Sequence, residues 1–351
     1  MWCNPLVAQS FQTAVTRVFN PHMVEAPQHV LNLRTVGRLK IGDTAGWKTF
    51  ANSRLVGLLF ALLGAGPVSG GTLYLTPSAD TTLVEHYPSN NLGAQLFLNS
   101  GTTQIFTKNR ALLKFDIAAQ LPAAAKITSA SLTLEVTGQP VDGDTPTTFE
   151  LRRVLRDWGE GNKSGASPSL GGPATLGEAN WTHRFAFTTN DWGEPGGLIG
   201  TDFSEVLSSE RYIYGVDLSP YSFNSTPEMA ADVQFWLAQA TNNFGWMLIS
   251  RSEELNFSAR RFASREDPFR APLLAVDYFV PRIDSITMGD NVVTLRFTAE
   301  AGQAYAVEAC DALNGTSWNT LISIAPQEAA TEIVVQTSAG PPHRFYRLAV
   351  P

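Results

Sequence analysis

The chain has 351 residues and a formal net charge of -7, with 16% charged and 44% hydrophobic residues, 28 glycines and 21 prolines. The negative balance disfavours nucleic acid as a partner, and low charge with abundant Gly and Pro implies many strands and turns. Cys3 and Cys310 are the two cysteines, which excludes a disulfide scaffold.

Residues 1–53 have mixed charge, no sustained period and isolated prolines (Pro5, Pro21, Pro27), so no folded domain is expected there. They read as translated upstream sequence or as a long, poorly ordered leader. The run from Leu55 to Ala65 is too short for a membrane span, which needs about 20 apolar residues. It matches the apolar centre of a secretory signal. Lys48 and Arg54 supply the positive flank, and Val68-Ser69-Gly70 a small-residue cleavage site. The alternative, a buried helix, is opposed by Gly57, Gly64, Gly66 and Pro67. On this reading residues 54–71 are a signal peptide, and the exported protein begins at Gly71 or Thr72 with no membrane span. Cys310 is then the one cysteine left, and "AYAVEACDA" makes it a small packed hydrophobe.

After Thr72 the pattern is strand-like. In "RALLKFDI", Ala111, Leu113, Phe115 and Ile117 share one face against Leu112, Lys114 and Asp116, as in a strand covered on both sides. "ASLTLEVTG" alternates strictly, with Ala130, Leu132, Leu134 and Val136 on one face. Turn clusters such as "PSNNLG", "QPVDGDTP" and "NDWGEPGG" separate the runs. Asn91-Leu92-Gly93 reads as a turn in which Gly supplies an unusual φ. The pattern predicts an all-β fold, a jelly-roll-like antiparallel sandwich. One segment differs: "STPEMAADVQFWLAQATNNFG" predicts a short helix capped by Ser225 or Thr226, with Pro227 at its first position and Asn243 and Gly245 at its end. Met229, Val233, Trp236 and Leu237 share its apolar face, so Trp236 reads as core.

Several pieces in order carry a family resemblance. "ADTTLVEHYPSNNLGAQLFL" and "NRALLKFDIAAQLPAAAKITSASLTLEV" are followed by "LRRVLRDWGEG", "ANWTHR", "NDWGEPGG", "VQFWLAQATNNFGW" and "RRFASREDPFRAPLLAVDY". Together they resemble the DNRLRE-type domain, over about Thr72 to Tyr278. The resemblance implies a secreted bacterial β-sandwich and a carbohydrate-binding module of the kind found beside alginate lyases. The insert "NKSGASPSLGGPATLGE" departs from the pattern and reads as a flexible loop.

The loops holding Trp158, Trp181 and Trp192 are the candidate recognition surface. Indole stacks on sugar C–H faces, and Asp157, Glu160, Lys163, His183 and Arg184 offer polar partners for hydroxyls. Trp158, Lys163, Trp181, His183 and Arg184 are therefore the candidate carbohydrate contacts, with Trp181 foremost and Trp192 the packing residue. The competing reading is that these tryptophans close the end of the sandwich. Arg152, Arg153 and Arg156 add positive charge nearby, which suits an acidic polymer such as alginate. Arg110 with Asp116, and Ser264-Arg265-Glu266, read as charge pairs at strand ends; Arg265 alternatively clamps a uronate.

Enzyme motifs are lacking: there is no Gly-x-Ser-x-Gly elbow, His-Glu-x-x-His or phosphate loop, and the histidines are scattered singly. The expectation is no catalysis and no cofactor. "DGDT", with Asp142 and Asp144, offers hard oxygens for a structural Ca²⁺ but too few to assign one. Glu253 and Glu254 read as solvated turn charges.

From 280 onward, "NVVTLRFTAEAGQAYAVEACDAL", "SWNTLISI", "TEIVVQTS" and "HRFYRLAVP" predict a second, small β-sandwich that looks fibronectin-like, with Val293, Leu295 and Phe297 inward and Trp318 anchoring its core. The domains expected are thus 72–279 and 280–351. Two functions stay open: a secreted polysaccharide-binding protein, or a structural or adhesive extracellular spacer.

Overall fold

Period-two alternation becomes strands almost throughout. The computed structural model describes residues 70–351 apart from 142, 166–169, 313–316 and 342. The leader at 1–53, nearly all of the signal segment at 54–71, and Asp142 lie outside the described residues. In chain order the strands are β1 (Gly71–Leu75), β2 (Ala79–Val84), β3 (Asn90–Asn91), β4 (Phe97–Thr102), β5 (Lys108–Lys114), β6 (Lys126–Leu134) and β7 (Val136–Gly138). They continue with β8 (Thr147–Val154), β9 (Gly172–Pro173), β10 (Phe203–Ile213) and β11 (Tyr221–Phe223). After helix α1 (Pro227–Ala238) come β12 (Trp246–Ser250), β13 (Arg260–Ala263) and β14 (Leu273–Phe279).

Apart from β3 and β9, which pair with each other, these strands form two facing antiparallel sheets. One runs β1-β14-β6-β11; the other runs β10-β8-β12-β5-β4-β13-β7, with β2 also paired to β5. The fold is an all-β sandwich with one α-helix among the described residues. The main core lies between the sheets and α1: Ala111, Leu113, Phe115 and Ile117 meet Ala130, Leu132, Leu134, Leu274 and Val276, with Trp236 and Trp246 edge to face at 4.6 Å. Leu112 points the other way, into a second cluster with Leu83, Met247 and Ile249. β5 is therefore buried on both faces, as its mixed alternation predicts.

The run "ASLTLEVTG" keeps its alternation but not its sheet. β6 pairs with β14 and β11, whereas β7 pairs with β13 in the opposite sheet. The chain changes sheet at Glu135, whose carbonyl accepts from Ala263 N at 2.9 Å. Ser219 Oγ holds the corner by accepting from Val136 N at 2.7 Å.

Helix α1 starts as expected: Thr226 is the N-cap and its Oγ1 accepts from Met229 N at 3.0 Å. It ends earlier than predicted, at Ala238, and a 3₁₀ turn follows at Ala240–Asn242. Asn243 and Gly245 act on β12 instead. Asn243 Nδ2 donates to Phe115 O at 2.6 Å. Gly245 has φ 75°, and a Cβ there would meet Leu113 O at 1.9 Å. The Asn91-Leu92-Gly93 turn also differs in cause: a Cβ on Gly93 would meet Glu160 O at 2.3 Å, so close approach rather than φ demands glycine.

The tail folds into β15 (Ser285–Gly289), β16 (Val292–Ala299), β17 (Tyr305–Cys310), β18 (Asn319–Ile324), β19 (Thr331–Ser338) and β20 (Phe345–Ala349). They form two antiparallel sheets, β15-β16-β19 and β18-β17-β20. Phe279, Val293, Leu295, Phe297, Tyr305 and Val307 fill their core. β15 is exposed at every position, which is why alternation did not reveal it. Trp318 is not in that cluster; it is half-buried under the Arg347 guanidinium, 4.4 Å from the ring centroid. Cys310 is buried and unpaired.

Candidate functional site

The segment between β8 and β10 folds back onto the outward face of the larger sheet. Trp158, Trp181 and Trp192 pack there with Leu83, Leu112, Phe203 and Met247. Trp158 and Trp181 are each 6% exposed and Trp192 4%. Trp158 Nε1 donates to Phe244 O and Trp192 Nε1 to Asn180 O, both at 2.9 Å. Trp181 lies against Gly196, where a Cβ would meet its ring at 2.5 Å. Neither Trp158 nor Trp181 presents a face to solvent, which corrects the expectation of Trp181 as an exposed stacking platform. The sheet's second face is apolar, and the indoles cover it.

The polar candidates are held within the same loops. Lys163 Nζ reaches Glu178 at 3.0 Å and Thr175 Oγ1 at 3.1 Å. His183 Nδ1 and Arg184 both meet Asp191, through its carboxylate and its carbonyl respectively. Arg184 Nη1 also donates to Asp157 O at 2.8 Å, and burial holds this guanidinium below its usual pKa. The structure thus gathers Trp158, Trp181, His183 and Arg184 in one loop system whose hydrogen bonds are mostly internal. The neighbouring arginines are ion-paired: Arg152 with Glu150, Arg153 with Asp232 and Arg156 with Asp202. Arg110 meets Glu253 through two bonds of 2.9 and 2.7 Å rather than Asp116, so Glu253 is not a solvated turn charge.

A different place has unused donors. On β4, Leu98 points into the core while Phe97 and Asn99 take the opposite face; on β13, Phe262 points inward and Arg261 outward. Asn99 and Arg261 are paired across the two strands. They lie in a groove of about 690 Å³. Its walls are the residues after β2 (His86, Tyr87), the β4–β5 hairpin, and the segment Gly138 to Val141. The Arg261 guanidinium lies over the Phe97 ring, 4.1 Å from its centroid. Burial lowers its pKa, and no neighbouring charge contributes. Arg261 Nε and Asn99 Nδ2 are both buried without a hydrogen-bond partner among the described residues. Among the described residues no carboxylate pairs with the Arg261 guanidinium, so its charge is uncompensated in the groove. His86 and Tyr87 stand edge to face at 4.5 Å on the rim. Exposed Ile105 and Val141 add apolar surface. Sequence reasoning passed over Arg261; the one available signal was the doublet Arg260-Arg261, which strand alternation must split between the two faces.

Three carboxylates converge elsewhere. One oxygen each of Asp80, Glu160 and Glu266 lies within 4.8 Å of the others. Arg265 bridges Glu160 at 2.7 Å and Glu266 at 2.9 Å, and its Nη1 donates to Ser78 O at 2.7 Å. Burial, then the Glu266 and Glu160 charges, push the Asp80 carboxyl well above the usual range. Hard oxygens of this kind are what Ca²⁺ takes, but Arg265 already offsets part of their charge. Arg265 is a charge-pair residue here, and Asp144 of the "DGDT" turn pairs with buried Arg260 at 3.3 Å.

Residues 71–164 match the model of carbohydrate-binding module family 96. The match spans β1 through β8 and includes Asn99, His86, Tyr87 and the β4–β5 hairpin of the groove. It supports a carbohydrate-binding module in this part of the chain. A search of curated proteins finds no match. Among the described residues, no helix is long and apolar enough to cross a membrane.

Proposed function

We propose that this is an exported bacterial protein whose larger sandwich is a non-catalytic module holding an acidic polysaccharide, of the alginate type, in the groove over Arg261. The observation that carries the reading is the Arg261 guanidinium, which has no carboxylate partner among the described residues and lines a groove largely within the matched region. A guanidinium that lacks a protein carboxylate suits a uronate, because its planar fork matches a carboxylate's two oxygens. The Asn99 amide suits a ring or hydroxyl oxygen. A spacer protein is the second reading, but it gives the uncompensated Arg261 charge in the groove no partner.

The test is calorimetric titration of the protein with alginate and with neutral glucans. Arg261→Ala is expected to weaken alginate binding about tenfold or more, the scale of a charge-assisted hydrogen bond. The melting temperature should fall only slightly, because the loss is the stack on Phe97, about 0.5–1 kcal/mol, and no ion pair is broken. Unchanged affinity in the variant, or binding to no glycan at all, would overturn the proposal in favour of the spacer.

A further inference from the structure

Tyr212 and Tyr214 form an exposed aromatic pair that the groove does not include. Tyr212 is 46% and Tyr214 54% exposed, while Ile213 between them is fully buried in the core. Strand alternation therefore aims both rings outward. They meet edge to face at 4.8 Å and 70°, so each braces the other and keeps about half its surface in water. Paired aromatic rings left in solvent mark a contact surface more than a packing need.

Two groove residues connect this pair to the groove. Arg260, buried beside the groove, donates from Nη2 to Tyr214 O at 2.7 Å. Gln139 lines the groove and its Oε1 accepts from Val216 N at 2.8 Å. Gln139, exposed on the groove wall, thus meets the backbone two residues after Tyr214, with exposed Val216 and Leu218 following in the chain.

We infer that the site extends past Gln139, and that the polysaccharide lays the C–H face of a further sugar ring on Tyr212 and Tyr214. This rests on the function proposed above. The aromatic π-face is electron-rich and apolar, which suits axial C–H groups, while the Tyr212 hydroxyl is turned to Pro146 O at 3.4 Å. The groove supplies charge recognition and the tyrosines supply length.

The experiment compares an alginate trimer with a decamer on the full chain. The unmutated protein should bind the decamer about tenfold more tightly than the trimer. Tyr212→Ala with Tyr214→Ala should lower decamer affinity to near the trimer's and leave the trimer unchanged, whereas the double Phe variant should behave as the original. Should the alanine variant not fold, nitration of Tyr212 and Tyr214 in the unmutated protein reads the same contact: the decamer protects both and the trimer does not. Equal affinity for the two lengths, length dependence that survives in the alanine variant, or nitration unaffected by the decamer overturns the extension alone. No binding of either sugar removes the underlying proposal and the extension with it.

Discussion

Trp181→Ala separates packing from recognition at a single residue. The indole is 6% exposed, fits against Gly196 and lies 5.9 Å from the Arg110 guanidinium. Its removal is expected to cost about 3–5 kcal/mol of stability, as for other buried aromatics. The measured result should be a lower melting temperature, with alginate affinity intact while the protein stays folded. Asp80 is the second informative residue. Its pKa is raised above 3.8 in the fold by burial and by Glu266 and Glu160. Between the unfolded value and the raised folded value the native state holds more protons, so stability falls as pH rises through that window. Asp80→Asn keeps an oxygen to accept from Arg265 N and removes the charge. Its melting temperature should rise above the original at pH 7 and show no gain near pH 3, about where the unfolded carboxyl is already protonated. A fall at pH 7 would mean that the three carboxylates serve together as charged groups.

Elements depend on a few residues at their ends. The N-cap of α1 is one: Thr226→Ala removes the bond to Met229 N, at about 1 kcal/mol. The entry to β12 is another. Gly245 has φ 75° and lies against Leu113 of β5, so Gly245→Ala combines backbone strain with a clash. Denaturant unfolding should show it about 2 kcal/mol or more less stable, a larger loss than Thr226→Ala. Both were legible in part. "STPE" reads as a helix start because a hydroxyl cap and Pro at the first turn act locally. Gly245 read as a helix stop, because the sequence does not show that its neighbour is Leu113 of β5, 132 residues earlier in chain order.

At the scale of the whole molecule, the two cores bear on binding differently. Every groove-lining residue lies between Val84 and Arg261, and none comes from β15 to β20. A chain ending at Pro281 should therefore keep its alginate affinity. Its stability should drop, because Phe279 packs with the tail's core and Lys126 Nζ donates to Val350 O. Titration and thermal melting of that truncated chain check both halves of this expectation.

The amino-acid sequence alone determined the sandwich. Alternation at Ala111 to Ile117 and at Ala130 to Val136 specifies which side chains must leave water, and that is a property of neighbours in the chain. It also placed α1 and the core role of Trp236. Tertiary structure decided the rest. Trp158 and Trp181 are buried because folded-back loops cover the sheet's second face, and Arg110 found Glu253 across 143 residues rather than nearby Asp116. Arg260 and Arg261 are chemically identical neighbours. Pairing with β4 sends Arg260 into the interior and leaves the Arg261 guanidinium at the groove without a carboxylate partner among the described residues. Burial and charge compensation depend on long-range contacts, and these are set by how strands pair rather than by their order.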